Sequence, residues 1–536
     1  MSLNSFLCFS HRELITSYNM YSYTFALLYK FLFLILFPLS ILAPQGITLV
    51  TIGLGLVFFL EISKNFSFRY IFQENKQLIL LLSSFLFFCL CSCVWSINPL
   101  ESFKETTRLT LLFLSGYIVF RGMKVTTYHE EILKSLLRGY IIGLLILCLE
   151  SRSGGAILSY FKNEKVEMFK YNKSTSFIVL FLPLLMMNWE LYKSHLFIFV
   201  KRLTWILSFI LIVCVIFLLE SGASKLALAV GVIVSIFMYL LPEMVRRLFL
   251  YIIVLACFMG PFIIPIVYSF PNVKTLSFQR IKSTSFYDRL SIWTNVSSII
   301  FNKSEVIKSS KDRSLFGFGL GSSKAEKLSQ IRCAWEMPPL SKSRHHKLEH
   351  KATLIKEYFK DIKGYLSNIK SYLRDRISFL GRNVKKTLPW SNSEKNSKVS
   401  ELPAANETFK ASLPLPSLGH CIISNVKAPI YSYPVAITEG LPLHPHNFIL
   451  QVTLELGFIG TFFLLFLAHL CIQGIFKLRI YPLCMGALAA TFSSFLIIAS
   501  ISYGIWQSWW ICTLWLVAAT SQLSCRQLEN DKLSKT

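Results

Sequence analysis

The sequence predicts an all-α polytopic membrane protein, and three observations carry that expectation. Hydrophobic residues make up 53% of the 536-residue chain and only 16% are charged, where a soluble globule is about a quarter charged. The apolar residues gather in runs of about seventeen or more, the length that crosses a hydrocarbon core of about 30 Å. Most of the remaining polar sequence falls in one block between residues 270 and 445.

The runs predict twelve spans, at 24–42, 46–62, 77–95, 107–122, 135–150, 175–191, 203–219, 223–241, 248–269, 446–471, 480–499 and 503–522. The first starts too late and runs too long for a simple cleaved leader, and no small-residue cleavage site follows, so it reads as a retained span. The chain is thus organised as 1–269 with spans one to nine, 270–445 as one large loop, 446–522 with spans ten to twelve, and 523–536 as a tail. Lysine and arginine set the orientation. Arg121, Lys124, Lys134 and Arg138 fall on one side with Arg246, Arg247, Lys477 and Arg479, whereas the connections at 43–45, 220–222 and 500–502 carry no cation. The positive-inside rule then puts both termini in the cytoplasm and the large loop outside. The outer loop at 151–174 runs against it, with Arg152, Lys162, Lys165, Lys170 and Lys173.

The net charge of +26 is partly topological. No soluble basic domain stands apart from the spans, so nucleic acid is a poor partner; membrane lipids that are anionic, or phosphorylated lipid substrates, fit better. Most of the thirteen cysteines lie in spans, where a thiol behaves as a small apolar group. Cys333 and Cys421 share the outer loop, the pair expected in an oxidising compartment; the sequence leaves their pairing open.

The large loop has three parts. Residues 271–323 contain 287-YDRLSIWTN-295 and 314-SLFGFGLGSS-323. Residues 324–400 are basic, with eighteen Lys/Arg against seven acids. Within them Ile355, Phe359, Ile362, Leu366, Ile369, Leu373 and Ile377 recur at helical spacing and predict an amphipathic helix over 351–380. Such a helix can lie on an anionic membrane or dock its stripe on the rest of the loop. Residues 401–445 are rich in Pro and Ser, as turns are. His345, His346 and His350 sit in a basic run that no acid completes, so they read as a solvated face, and neither a metal nor a cofactor is expected.

The stretch 444-HPHNFILQVTLELGFIG-460 is the most informative. Pro445 suits a first helical turn. Asn447, Gln451 and Glu455 follow at i, i+4 and i+8 and share one face, which must be turned to the protein or to a wet cavity because a carboxylate in lipid costs several kcal/mol. Gly457 and Gly460 allow close approach of another segment. His446 stands at the rim of this stripe, where it can accept a proton or simply cap the helix. Arg289 and Trp293 share a helical face, and an arginine there can grip a phosphate through two hydrogen bonds or pair with an acid. The 317-GFGLG-321 run lacks the spacing and flanking elements of a nucleotide loop and reads as a tight turn. Lys225 can snorkel to the interface or place a charge in a central cavity.

In this order the features resemble the O-antigen ligase / O-antigen polymerase superfamily of bacterial envelope glycan transferases. The stretch 94-VWSINPLESFKETTRL-109 is similar to that family's outer loop after the third span, with its Trp-Ser-x-x-Pro pattern. Ser224-Lys225 corresponds to the family's Ser-Arg. Arg289, Trp293, Gly317, Gly319 and Gly321 match an Arg-x-x-x-Trp followed by a Gly-x-Gly turn. His446, Asn447, Leu450, Glu455, Gly457 and Gly460 match the His-Asn signature closely. Two features depart: Lys225 stands where arginine is usual, and the basic insertion at about 324–440 is not required by the pattern.

The resemblance implies transfer of a glycan from undecaprenyl pyrophosphate to lipid A-core, in lipopolysaccharide biosynthesis at the periplasmic face of the bacterial inner membrane. It implies His446 as the catalytic base, Arg289 and Lys225 against the leaving pyrophosphate, inversion without a metal, and Trp293, Asn447 and Glu455 in the substrate-binding set. Glu455 lies ~13 Å deeper than His446 at 1.5 Å per residue, which favours a supporting place over that of base. An O-antigen polymerase or a protein O-oligosaccharyltransferase shares these motifs. A polysaccharide transporter or flippase with twelve spans is the reading from another class, although neither related halves nor paired broken helices are visible.

Overall fold

The computed structural model describes residues 24–65, 75–163, 168–189, 221–268, 313–324, 331–336, 421–423, 435–438, 445–477 and 482–533, with single positions between 209 and 213 and between 289 and 300. The amphipathic helix expected over 351–380, the three histidines at 345–350 and almost all of the span expected at 203–219 lie outside the described residues.

Twelve helices are named here in chain order. They are α1 (Thr24–Leu42), α2 (Gly46–Asn65), α3 (Lys76–Ser92), α4 (Pro99–Val125), α5 (His129–Ser153), α6 (Ala156–Lys162), α7 (Asn172–Trp189), α8 (Gly222–Leu240), α9 (Glu243–Tyr268), α10 (Phe448–Lys477), α11 (Pro482–Ile501) and α12 (Ser508–Leu533). Apart from the seventh, each expected span coincides with one of them. Seven of the described helices are long and apolar enough to cross a membrane, and α3 and α7 are shorter apolar helices. The chain is an all-α polytopic membrane protein in its helical part. Three short strands lie in the large loop region: β1 (Ile331–Glu336), β2 (Cys421–Ile423) and β3 (Val435–Thr438).

Helix boundaries follow local chemistry. Asn98 accepts the Glu101 amide ahead of α4, and Pro99 fills the first helical position, where a missing N–H costs nothing. Ser221 accepts the Ser224 amide at the start of α8. Gly154 ends α5 in the left-handed conformation. Small residues let α8 and α11 pack closely: Ser494 Oγ donates to the Ala227 carbonyl at 2.8 Å, and a methyl added at Gly231 would crowd that hydroxyl at 2.6 Å. With lipid outside, such contact between small residues is what holds helices together.

Two compact units are present. The first comprises residues 1–333, 419–425 and 438–536, and the second residues 334–418 and 426–437. Every site residue described below belongs to the first.

Candidate functional site

The site begins with a helix that does not continue. α10 is broken at Gly457, whose backbone is far from helical (φ 66°, ψ −167°), a region open essentially to glycine alone. A broken helix leaves carbonyls unpaired, and here the glycine turn takes them: Phe318 N–H donates to the Leu454 carbonyl at 3.0 Å and Gly319 N–H to the Glu455 carbonyl at 2.8 Å. Gly317, Gly319 and Gly321 all have positive φ, and a methyl at Gly317 would collide with the Glu455 carbonyl. The Gly-x-Gly run is therefore a backbone plug in a broken membrane helix.

The Trp-Ser-x-x-Pro stretch braces that plug. Trp95 Nε1 donates to the Phe316 carbonyl at 3.2 Å, Ile97 N–H to the Phe318 carbonyl at 3.1 Å, and Ser102 Oγ to the Leu320 carbonyl at 2.6 Å. Three motifs distant in sequence, at 94–109, 314–323 and 444–460, thus meet backbone to backbone.

Glu455 completes the junction. Its side chain is wholly buried. Oε2 accepts from Gly321 N–H at 2.6 Å and from Trp506 Nε1 at 2.8 Å, while Oε1 accepts from Gln451 Nε2 at 3.1 Å. Gln451 in turn accepts the Ile505 amide at 3.0 Å, and Arg108 holds the Trp506 carbonyl at 2.7 Å. The polar stripe expected on this helix exists, and it faces the turn between α11 and α12.

His446 lies nine residues before Glu455 in the chain, half-buried, with a positive φ of 52°. Trp293 Nε1 donates to the carbonyl of the preceding Pro445 at 3.2 Å. The His446 Nδ1 lies 2.9 Å from the Ser502 carbonyl. A carbonyl only accepts, so Nδ1 carries a proton, and in the neutral ring the basic lone pair belongs to Nε2. Asn447 is the helix cap: its Oδ1 accepts the Ile449 and Leu450 amides at 3.0 Å each, and its Nδ2 donates to the Ser500 carbonyl at 2.8 Å. His446 and Asn447 therefore both grip the same turn.

Tyr503 in that turn starts a line of hydroxyls. Its OH is 3.1 Å from Ser176 Oγ, Ser176 is 3.0 Å from Ser224 Oγ, and Ser224 is 2.7 Å from Ser221 Oγ. Four hydroxyls share three links, so one O–H is left over to donate elsewhere. Burial pushes the Tyr503 phenol up, and the Arg289 charge opposes that. Burial likewise pulls the Arg289 guanidinium down, opposed by Tyr503. Arg289 thus lies within electrostatic reach of Tyr503, in the turn that holds His446. Lys173 places its Nζ 5.7 Å above the Trp509 ring, which itself packs edge-on against Tyr503 at 4.9 Å.

His446, Asn447, Trp293, Arg289 and Glu455 are gathered around the α11–α12 turn. Lys225 is half-buried immediately after Ser224, beside the hydroxyl line. Asn447 and Glu455 spend the contacts above on the protein itself, as cap and as junction. Tyr503, Ser176, Trp506 and Lys173 were not singled out by sequence. The available signal was 502-SYGIWQSWW-510, an aromatic cluster in a very short inter-span connection.

Comparisons with known proteins bear on part of this chain. No family model matches it. A stretch of 78 residues is 44% identical to a protein of Rickettsia typhi described as a "putative polysaccharide ligase". A Rickettsia prowazekii protein so described is 42% identical over 78 residues, and one of Rickettsia felis is 44% identical over 81. Over that stretch the chain is similar to these relatives. The match spans 14% of this chain and only 19% of each relative. These polysaccharide ligase-like residues are a modest share of the protein.

Proposed function

We propose that the protein is an O-antigen ligase-like glycosyltransferase that moves a glycan from undecaprenyl pyrophosphate to lipid A-core. The observation that carries this reading is the His446–Ser502 hydrogen bond, which makes Nε2 the ring nitrogen able to accept a proton, at the turn whose Tyr503 feels the half-buried Arg289. In the proposed reaction an acceptor hydroxyl attacks the anomeric carbon of the donor while His446 Nε2 takes its proton. The bond from the anomeric carbon to the pyrophosphate oxygen breaks, and undecaprenyl pyrophosphate leaves with the electron pair. Arg289 and Lys225 oppose its charge, Tyr503 donates the spare O–H of the hydroxyl line to a phosphate oxygen, and no metal is needed. Attack opposite the leaving group inverts the anomeric centre. Trp293, Asn447 and Glu455 act in this reading by positioning His446 and the turn it grips.

The site faces the periplasm from the bacterial inner membrane in this proposal, in line with the positive-inside rule. The test is transfer in detergent from a purified lipid-linked glycan to rough lipopolysaccharide in excess EDTA. Glycosylated lipopolysaccharide from the wild type and none from His446→Ala supports the reading. Donor repeats joined to one another move it to a polymerase, and no chemistry with any acceptor removes it.

A further inference from the structure

The two ends of the loop insertion meet at a pair of cysteines. β1 and β2 run antiparallel in the register Ile331↔Ile423, Arg332↔Ile422 and Cys333↔Cys421, so Cys333 and Cys421 are direct partners. Opposed residues of an antiparallel pair have Cα atoms about 4.5 or 5.5 Å apart, depending on whether they exchange hydrogen bonds. Both spacings fall within the ~4.4–6.8 Å that disulfides span, and directly opposed residues project to the same face of the pair. A second observation concerns position. The first compact unit takes in the chain up to Cys333 and again over Gly419–Asn425, so both cysteines belong to that unit although the 87 residues between them are mostly outside it.

We infer that Cys333 and Cys421 form a disulfide that joins β1 to β2 within the insertion. Each thiol gives up a proton and the pair gives up two electrons by thiol–disulfide exchange to an oxidised dithiol carrier of the compartment, which is reduced to its dithiol. The bridge converts the segment between the cysteines into a covalently closed loop. The inference rests on the outward orientation in the proposed function, because a reducing cytosol would leave both thiols free.

The experiment uses the full chain expressed in a bacterium and lysed in denaturant with N-ethylmaleimide, then digested with trypsin without reductant. Cleavage gives 333-CAWEMPPLSK-342 and 411-ASLPLPSLGHCIISNVK-427. The expected result is one mass equal to these two peptides less two hydrogens, which separates on reduction. Both peptides carrying N-ethylmaleimide, or either joined to another cysteine, overturns the inference. Ser393→Cys, read by an impermeant maleimide on spheroplasts, separates the causes. Labelling there with free thiols at 333 and 421 refutes the bridge and leaves the orientation standing. No labelling there refutes both.

Discussion

His446 and Ser502 are joined through the histidine Nδ1 and the serine carbonyl, 2.9 Å apart. The proposed base is thereby held by backbone, which no substitution at Ser502 removes. His446→Ala is expected to lower the transfer rate by about 10²–10⁴-fold, the usual worth of a positioned base, with expression and folding retained. A variant of normal rate would take the base away from His446.

Glu455→Gln is expected to destabilise the fold by about 1–3 kcal/mol. Both oxygens of Glu455 accept hydrogen bonds. Gln451 cannot turn its amide to help, because its oxygen already holds the Ile505 amide. A glutamine at 455 must therefore point N–H at N–H on one side. Thermal unfolding in detergent reads the loss, and an unshifted midpoint would show that the junction tolerates a neutral group.

Gly457→Ala breaks the plug in a different way. The added methyl would strike the Leu315 carbonyl, and the φ of 66° with ψ of −167° is itself strained for alanine by about 1–3 kcal/mol. Lower yield of folded protein and an earlier melt are expected. Gly474, where an added methyl meets nothing within 4 Å, is the control: its alanine variant should melt like the wild type.

Tyr503→Phe keeps the ring against Trp509 and removes one end of the hydroxyl line. Stability is expected to fall by only about 0.5–1.5 kcal/mol, while transfer falls by roughly tenfold or more if the phenol donates to the leaving phosphate. A rate loss no larger than that of a matched stability variant would assign Tyr503 to packing. Arg289→Lys, which keeps charge and loses the planar fork, should raise the KM for the lipid-linked donor more than it lowers kcat.

The helices were legible because the apolar period of a membrane span is long and repeated; the start of α4 was not, because the expected span began at 107 and the helix starts at Pro99, in a polar stretch read as loop. The stripe Asn447–Gln451–Glu455 was legible for a similar reason, since a carboxylate in an apolar run must have partners. What those partners are was not. Glu455 is satisfied by Gly321 and Trp506, which lie 134 and 51 residues away, and no local pattern encodes such pairings. The glycine turn shows the limit most clearly: its positive φ angles were foreseeable, but its use as backbone filler in a broken helix depends on Gly457, which by itself reads as a close-packing glycine. Tyr503 escaped notice because its neighbours are aromatic and its partners are serines in other spans.

The plug also sets an order of events in time. Gly321 and its carboxylate partner Glu455 are 134 residues apart in the chain, and a ribosome adds about 5–20 residues per second. The glycine turn therefore leaves the ribosome roughly 7–27 s before its partner does. Throughout that interval the amides of Phe318, Gly319 and Gly321 lack the partners they have in the fold, and nine of the helices named above precede the one that will receive them. The proposed base His446, the junction carboxylate Glu455 and the turn that grips them are all made after the glycine turn they meet, so the junction closes only once α10, α11 and α12 have followed that turn into the bilayer.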